Sequence, residues 1–300
     1  MNYDEVTAGW ASTPMPTEQP GPTVGASPAR QLRDAIEPIA MHSVWSRSTH
    51  EQLAALGLDF ISSYVWSRAS ALGIPDPGVV VSTFAVFEPD YLRRLYTTSS
   101  AIVDRDTLIA TRTEATIASL GQILDGIDVA PVADLLQEAV SAADVTARPL
   151  FAGFLSQPWP DDPIGRLWRA TELAREYRGD SHNAVCVAQG LGPVAMNVLT
   201  ELWVGMPLGS YTATRGWSDE AIARTVAELE TTGLVREGSL TPAGQQFRDQ
   251  IEARTDAMGR SIVDAIGEDF ESVVQQLDAW SALCVEAHAF PPNALKRAAG

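Results

Sequence analysis

The sequence predicts a mostly α-helical protein made of two similar halves. Apolar residues recur at helical spacing from residue 29 onward, as in the segment ARQLRDAIEPIAMHSVW. Helix stops such as Gly57 and Gly73 follow such segments at short intervals. The order of elements also repeats after about 130–140 residues, which indicates an internal duplication.

The first half begins after a segment that we expect to be disordered. Residues 11–28 are rich in Pro, Gly, Ser and Thr and lack periodic apolar positions, so we assign a disordered leader to residues 1–28. Helical segments follow, and VVVSTFAVF after them is strongly β-prone. Pro89 then suits the first turn of another helix. We predict that residues 29–147 form a winged-helix-like half, in which a small β-wing accompanies the helices.

The second half, residues 148–300, shows the same order more clearly. The helix RLWRATELAREYRG leads into a second helix near Asp180, and two buried helices meet at the Gly-Leu-Gly-Pro segment. Further on, a capped helix ends at Gly233, and two short strands flank a turn at Glu237-Gly238-Ser239 before another helix. Helix, two-stranded wing and helix is the order of a winged helix-turn-helix.

Corresponding segments of the two halves resemble each other. LAALGLDFISSYVWSRASALG parallels VAQGLGPVAMNVLTELWVGM, and the tetrapeptide RTEA at residues 112–115 echoes RTDA at residues 254–257. Chance similarity among helical segments is the alternative. A true duplication would pack the halves about a pseudo-twofold axis, and the seam between them would be the natural place for a pocket.

Composition narrows the classes of function. The chain has 38 acidic and 21 basic residues, a net charge of −17, which argues against broad nucleic-acid binding and against an anionic membrane surface. Its two cysteines suit buried, reduced thiols. The N-terminus lacks a signal segment, and residues 181–200 are too polar for a membrane span, so we expect a cytoplasmic protein without a membrane partner.

The segment REYRGDSHN at residues 175–183 is the best candidate for chemistry. We expect it at a helix start, where Arg178 would hold an anion and the helix dipole would keep His182 neutral as an acid or base. Asp180 would orient the imidazole. The alternative is a helix-cap network in which an arginine–aspartate pair fixes the turn between helices.

A second polar and aromatic set lies in the first half. Tyr64 and Arg68 stand four residues apart on one helix face and could line the same pocket as His182. His42 is a further candidate ligand contact, and Trp159 in PWPDDP could belong to a lid. The alternatives are that Tyr64 is a core residue, that Arg68 pairs with a nearby carboxylate, and that the paired acids of PWPDDP mark the start of a helix.

The sequence predicts no metal and no cofactor. The four histidines show no HxxxH or HxxE spacing, and the two cysteines lie far apart in the chain. The motifs GxGxxG, GKS or GKT, and GxSxG are missing from their required contexts. Any reaction would depend on side-chain acid–base chemistry, positioning and electrostatics.

The segment GWSDEAIARTVAELETTGLVREGSLTPAG resembles the recognition helix and wing of MarR-type regulators. The segments ARPLFAGFLSQPWPDDP, REYRGDSHNAVCVAQGL and RGWSDE together resemble a largely uncharacterised actinobacterial family of helix-turn-helix proteins. The resemblance covers the chain from Ala29 to its end and implies the fold, but little chemistry.

Charge argues against DNA as a partner of this winged helix. The candidate recognition helix, residues 219–232, carries Arg224 against four acidic residues, namely Asp219, Glu220, Glu228 and Glu230. A regulator with its arginines gathered on one edge is left open, and these would be Arg215, Arg224, Arg236 and Arg248.

We carry three hypotheses for function. The leading one is a small-molecule-binding protein of specialised metabolism, with an anionic or polar ligand between the halves. It could be a cofactor-free enzyme of cyclisation, elimination or displacement. The second is a MarR-like regulator whose pocket senses an effector, and the third is a structural partner subunit. A homodimer is compatible with each of them.

Overall fold

The computed structural model describes residues 3–12 and 27–299. The described residues up to Leu155 contain ten α-helices: α1 (Tyr3–Ser12), α2 (Pro28–Ala40), α3 (His42–Trp45), α4 (Arg47–Ala55), α5 (Phe60–Ala69), α6 (Pro77–Phe84), α7 (Pro89–Ile102), α8 (Arg105–Ile123), α9 (Ala130–Ser141) and α10 (Pro149–Leu155).

The rest contains the helices α11 (Pro163–Ala188), α12 (Pro193–Val204), α13 (Asp219–Thr231), α14 (Pro242–Met258), α15 (Arg260–Ile266), α16 (Phe270–Glu286) and α17 (Ala294–Ala299). Two short strands, β1 (Val235–Arg236) and β2 (Ser239–Leu240), lie between α13 and α14. The described chain is therefore mostly helical, as the sequence predicts.

The 26-residue helix α11 is the centre of the fold. Asp162 caps it by accepting backbone hydrogen bonds from Ile164 at 2.8 Å and Gly165 at 3.1 Å. Its fully buried Trp168 belongs to the largest apolar cluster, which also contains side chains of α2, α9 and α16. Burial on several sides explains why this helix is longer than typical helices of globular proteins.

The expected helix start near Asp180 is wrong, because α11 runs through that position without a break. The Ser181 hydroxyl donates to the carbonyl of Tyr177 at 2.7 Å, so it is satisfied within the helix and does not act as a cap. The bend comes later. Helices α11 and α12 meet at 111° across Gly-Leu-Gly-Pro, where the sequence places it.

The hairpin between α13 and α14 matches the predicted wing in position. Its strands are antiparallel, and Val235 pairs with Leu240. Glu237 and Gly238 both have positive φ angles, 50° and 72°, as a tight two-residue turn requires. Gly244 lets α14 approach this hairpin, since a Cβ there would lie 1.9 Å from the carbonyl oxygen of Leu234.

The expected wing of the first half is wrong, because residues 29–147 contain no strand in the structure. VVVSTFAVF lies mostly in α6, which Asp76 caps by accepting from the backbone N–H of Gly78 at 2.9 Å. Val80 and Phe84, four residues apart, form its buried face. The duplication into two winged-helix-like halves therefore stays a hypothesis.

The disordered leader is wrong for residues 3–12 and 27–28, which belong to helices or cap them. In α1, Tyr3 is buried, donates its hydroxyl to the carbonyl of Trp45 at 2.5 Å and stacks on His50. The rest of that assignment lies outside the described residues.

Within the described part of the chain, no single helix has the length and apolar composition to cross a membrane. Helices α11 and α12 meet these criteria only as a bent pair.

Candidate functional site

A cavity lined by arginines lies between the helical bundle and the segment that carries the hairpin. It has a volume of about 140 Å³ and receives side chains from α2, α5, α6, α11, α12 and α14. Seven arginines line it: Arg30, Arg33, Arg68, Arg175, Arg178, Arg215 and Arg248. Glu252 is the one carboxylate among the described lining residues. In a chain of net charge −17, this concentrates positive charge in the interior.

Glu252 on α14 holds three of these arginines. Its carboxylate accepts from Arg30 at 3.0 Å, from Arg178 at 2.6 Å and from Arg248 at 2.5 Å. Burial acts to raise the pKa of Glu252, but Arg248 and Arg178 outweigh it and hold the pKa well below its usual range. The glutamate is therefore ionised at neutral pH.

Two carboxylates behind the cavity wall hold another pair of arginines. Arg68 donates to Glu176 through Nε at 3.3 Å and through Nη2 at 2.6 Å. Arg175 bridges Glu37 and Glu176, each at 3.0 Å. Burial acts to raise the pKa of Glu37, but the nearby cations Arg175, Lys296 and Arg33 together outweigh it and lower the pKa to about 2.

The cluster keeps an excess of positive charge. Among the described residues, the acids paired with the seven arginines besides Glu252 are Asp34, Glu37, Glu176 and Asp256, so seven guanidinium groups meet five described carboxylates. Arg215 has no ion pair in the described parts of the chain and stacks over Tyr211 at 3.8 Å. The Nε atoms of Arg178 and Arg215 are buried and make no hydrogen bond to the described residues. Donors of this kind suit an anionic ligand.

The structure brings four of the predicted site residues to this cavity: Tyr64, Arg68, Arg178 and His182. Arg68 also donates to the Tyr64 hydroxyl at 2.9 Å, so these two side chains meet on one face of α5.

His182 is neutral for a different reason from the expected one. It lies in the interior of α11, so no helix start acts on it. Burial and then Arg248 lower the pKa of His182 to about 3. Its Nδ1 lies 3.2 Å from the Thr255 hydroxyl, and its Nε2 lies 3.5 Å from the Cys186 sulfur. Burial raises the pKa of Cys186 to about 11, so the sulfur is a thiol and not a thiolate.

The expectation that Asp180 orients His182 is wrong. Positions two apart on a helix face in different directions, and Asp180 accepts from the backbone N–H of Phe151 at 3.0 Å instead. Burial raises the pKa of Asp180 to about 7. By its hydrogen bond to Phe151, the Asp180 side chain connects α11 to α10, and it does not line the arginine cavity.

His42 and Trp159 do not reach the cavity either. His42 is fully buried, lies 2.9 Å from the Ser119 hydroxyl, and has its pKa lowered by burial to about 4. Trp159 lies between α10 and α11 and packs against the largest apolar cluster. Both side chains therefore belong to the core and not to the arginine cavity.

Sequence reasoning missed Arg30, Arg33 and Arg175 as wall residues. Arg30 and Arg33 are three residues apart on the apolar face of α2, and an arginine at a core position signals a buried charge cluster. Arg175 is the third residue before Arg178 on α11 and shares its face. Within the described ranges, no group of three or more His, Cys, Asp and Glu side chains is placed to hold a metal ion.

The face that would read DNA is acidic. On α13 the side chains of Asp219, Glu220, Glu228 and Glu230 are exposed, against one exposed arginine, Arg224. Of the four arginines considered for a basic edge, Arg215 and Arg248 line the interior cavity instead. The hairpin adds an exposed Arg236 beside an exposed Glu237.

This chain belongs to a helix-turn-helix family, whose model matches residues 29–291. The match includes every residue that lines the arginine cavity. Comparisons with curated proteins and with solved structures gave no significant match. The family supports the helix-turn-helix part of the resemblance seen in the sequence. The MarR-type and actinobacterial details remain hypotheses.

Proposed function

We propose that this protein binds an anionic small molecule in the arginine cavity. The observation that carries the proposal is the concentration of seven arginines against one lining carboxylate in a strongly acidic chain. Burying so many guanidinium groups costs free energy, and a bound anion recovers part of it by charge-assisted hydrogen bonds. Arg178 and Arg215 are the first contacts in this proposal, because both line the cavity and Arg215 has no ion pair with any described residue.

Binding is better supported than catalysis. A general base works best when its pKa lies near the working pH, and the pKa of His182 is lowered to about 3. Asp180 is occupied at α10, and Cys186 is held as a thiol. We therefore assign Tyr64, Arg68 and His182 to the cavity wall as ligand contacts and propose no reaction.

Thermal unfolding tests the proposal directly. The midpoint should rise as sodium phosphate or pyrophosphate replaces sodium chloride at constant ionic strength, since a ligand that binds the folded state stabilises it. At 100 times its Kd, a ligand would add about 2.7 kcal/mol to the free energy of unfolding. Equal midpoints in all three salts would contradict the proposal.

A DNA-binding regulator is the second candidate, and membership of a helix-turn-helix family favours it. In this proposal the arginine cavity holds the effector, and α13 and the hairpin meet DNA, with Arg224 and Arg236 on phosphates. A regulator would retard its own promoter fragment at low salt, and Arg224→Ala would weaken that binding. Unretarded DNA at low salt would remove this candidate and leave the ligand proposal intact.

The structural-subunit hypothesis receives less support. It predicts side chains packed tightly between the two halves without a pocket, whereas the arginine cavity lies among residues from both halves. Light scattering on the purified protein, alone and with ligand, would show whether a homodimer forms.

A further inference from the structure

A second, larger cavity adjoins the arginine cavity. It has a volume of about 410 Å³ and lies under α1 and α17. Six aromatic side chains line it: Trp10, Trp45, Phe60, Tyr64, Phe87 and Tyr211. We call it the aromatic chamber. Apolar cavities of this kind typically accept the body of a small ligand.

The two cavities share part of their walls. Tyr64, Arg175, Tyr211 and Arg215 line both of them. Arg215 lies over the rings of Tyr211 at 3.8 Å and Phe87 at 5.3 Å, so its guanidinium stands where the apolar and the charged surfaces meet. A ligand that passes this junction would place one part in each cavity.

The volumes of the two cavities indicate which part of the ligand each one would hold. The arginine cavity alone is smaller than the about 300–1,000 Å³ typical of small-molecule pockets, and it suits a head group rather than a whole ligand. The aromatic chamber alone reaches that range. Among the described residues, its charged lining side chains other than the two shared arginines are Glu5 and Lys296, and Lys296 lies 3.6 Å from the Glu37 carboxylate. The chamber therefore suits an uncharged body.

We propose that the ligand is an amphipathic anion, with a phosphate-type head in the arginine cavity and an aromatic or similarly apolar body in the aromatic chamber. This inference rests on the proposed function and adds the chemical class of the ligand. Arg215 lines both cavities, so its guanidinium stands beside the head and the body at the junction between them. Helix α1 covers the body through Val6 and Trp10.

Calorimetric titration with two probes tests the inference. We expect 1-naphthyl phosphate to bind about tenfold or more tighter than inorganic phosphate, because its ring system leaves water for the aromatic chamber. Equal affinities would overturn the amphipathic ligand and leave anion binding intact. Binding of neither probe would overturn both proposals.

Two variants locate the body of the ligand. Trp10→Ala removes an aromatic wall, and Val44→Trp fills the chamber from the half-buried lining residue Val44. Both should reduce the tenfold advantage of 1-naphthyl phosphate and leave the affinity for inorganic phosphate unchanged. Val187→Trp, at an exposed position of α11 outside both cavities, is the matched control. If both chamber variants keep the parent's melting point and still bind 1-naphthyl phosphate more tightly than inorganic phosphate by the same factor, the ligand body does not lie in the aromatic chamber.

Discussion

The guanidinium of Arg178 donates to the carboxylate of Glu252 across 2.6 Å, and this ion pair joins α11 to α14. Both side chains are largely buried, with 12% and 9% of their surface exposed. Glu252 therefore couples the central helix to the helix that follows the hairpin. Since it also accepts from Arg30 and Arg248, the same carboxylate determines how much positive charge remains for a ligand.

Glu252→Gln should destabilise the protein by about 3 kcal/mol, because removing one partner of a buried ion pair leaves the other uncompensated. Urea unfolding monitored by circular dichroism would measure this loss. Glu228→Gln changes an exposed glutamate of α13 and should stay within about 0.5 kcal/mol of the parent. Equal losses in the two variants would contradict the structural role of Glu252.

His182 should make stability fall on mild acidification. Its pKa is lowered to about 3 in the folded state, below the unfolded value near 6.5, so only the unfolded state gains this proton between those values. Stability is therefore lost as pH falls below about 6.5, and the contribution between pH 7.5 and pH 5 is about 2 kcal/mol.

Unfolding of the His182→Gln variant at both pH values measures this contribution. Between pH 7.5 and pH 5, the free energy of unfolding of the variant should fall by about 2 kcal/mol less than that of the parent. His288→Asn, at an exposed residue with a φ of 55° that asparagine tolerates, should keep the parent's pH dependence. A His182→Gln variant with the parent's pH dependence would argue against a buried, neutral imidazole.

Both cysteines should resist thiol reagents in the folded protein. Burial raises the pKa of Cys186 to about 11 and that of Cys284 to about 12, and the thiolate is the reactive form. With Ellman's reagent at pH 8, we expect release of colour only after denaturant is added. Rapid labelling of Cys186 in the folded state would instead indicate activation by His182.

Gly244→Ala should destabilise the hairpin segment by about 2 kcal/mol, since the new methyl group would meet the Leu234 carbonyl and force backbone to shift. Gly121→Ala is the control in helix α8. A Cβ at Gly121 meets nothing within 4 Å, so this variant should gain about 0.5–1 kcal/mol. Urea midpoints that change in the same direction would contradict the close contact at Gly244.

Local signals predicted much of this fold. The Gly-Leu-Gly-Pro bend and the hairpin at Glu237-Gly238 follow from turn chemistry, which acts over a few residues. VVVSTFAVF is helical despite its β-propensity, because a cap at Asp76 and the burial of Val80 and Phe84 favour a helix more strongly.

The site was harder to predict, because its parts come from distant segments. Arg178 and His182 were found from one dense motif, and Tyr64 with Arg68 from helical spacing. Arg30 and Arg33 escaped notice, since only tertiary packing brings α2 against α11 and α14. The expected break in α11 led to the wrong partner for Asp180, whose side chain reaches α10.

The most direct test of the account is calorimetric titration of inorganic phosphate into the parent and two glycine variants. Gly179→Leu adds a side chain at a lining position of the arginine cavity where a Cβ meets nothing within 4 Å. Gly121→Leu makes the same change at an equally open position of α8 outside the cavities. We expect binding by the parent and by Gly121→Leu, with affinity reduced about tenfold or more by Gly179→Leu. Equal affinities in all three proteins, or no binding by the parent, would contradict an anion site in this cavity.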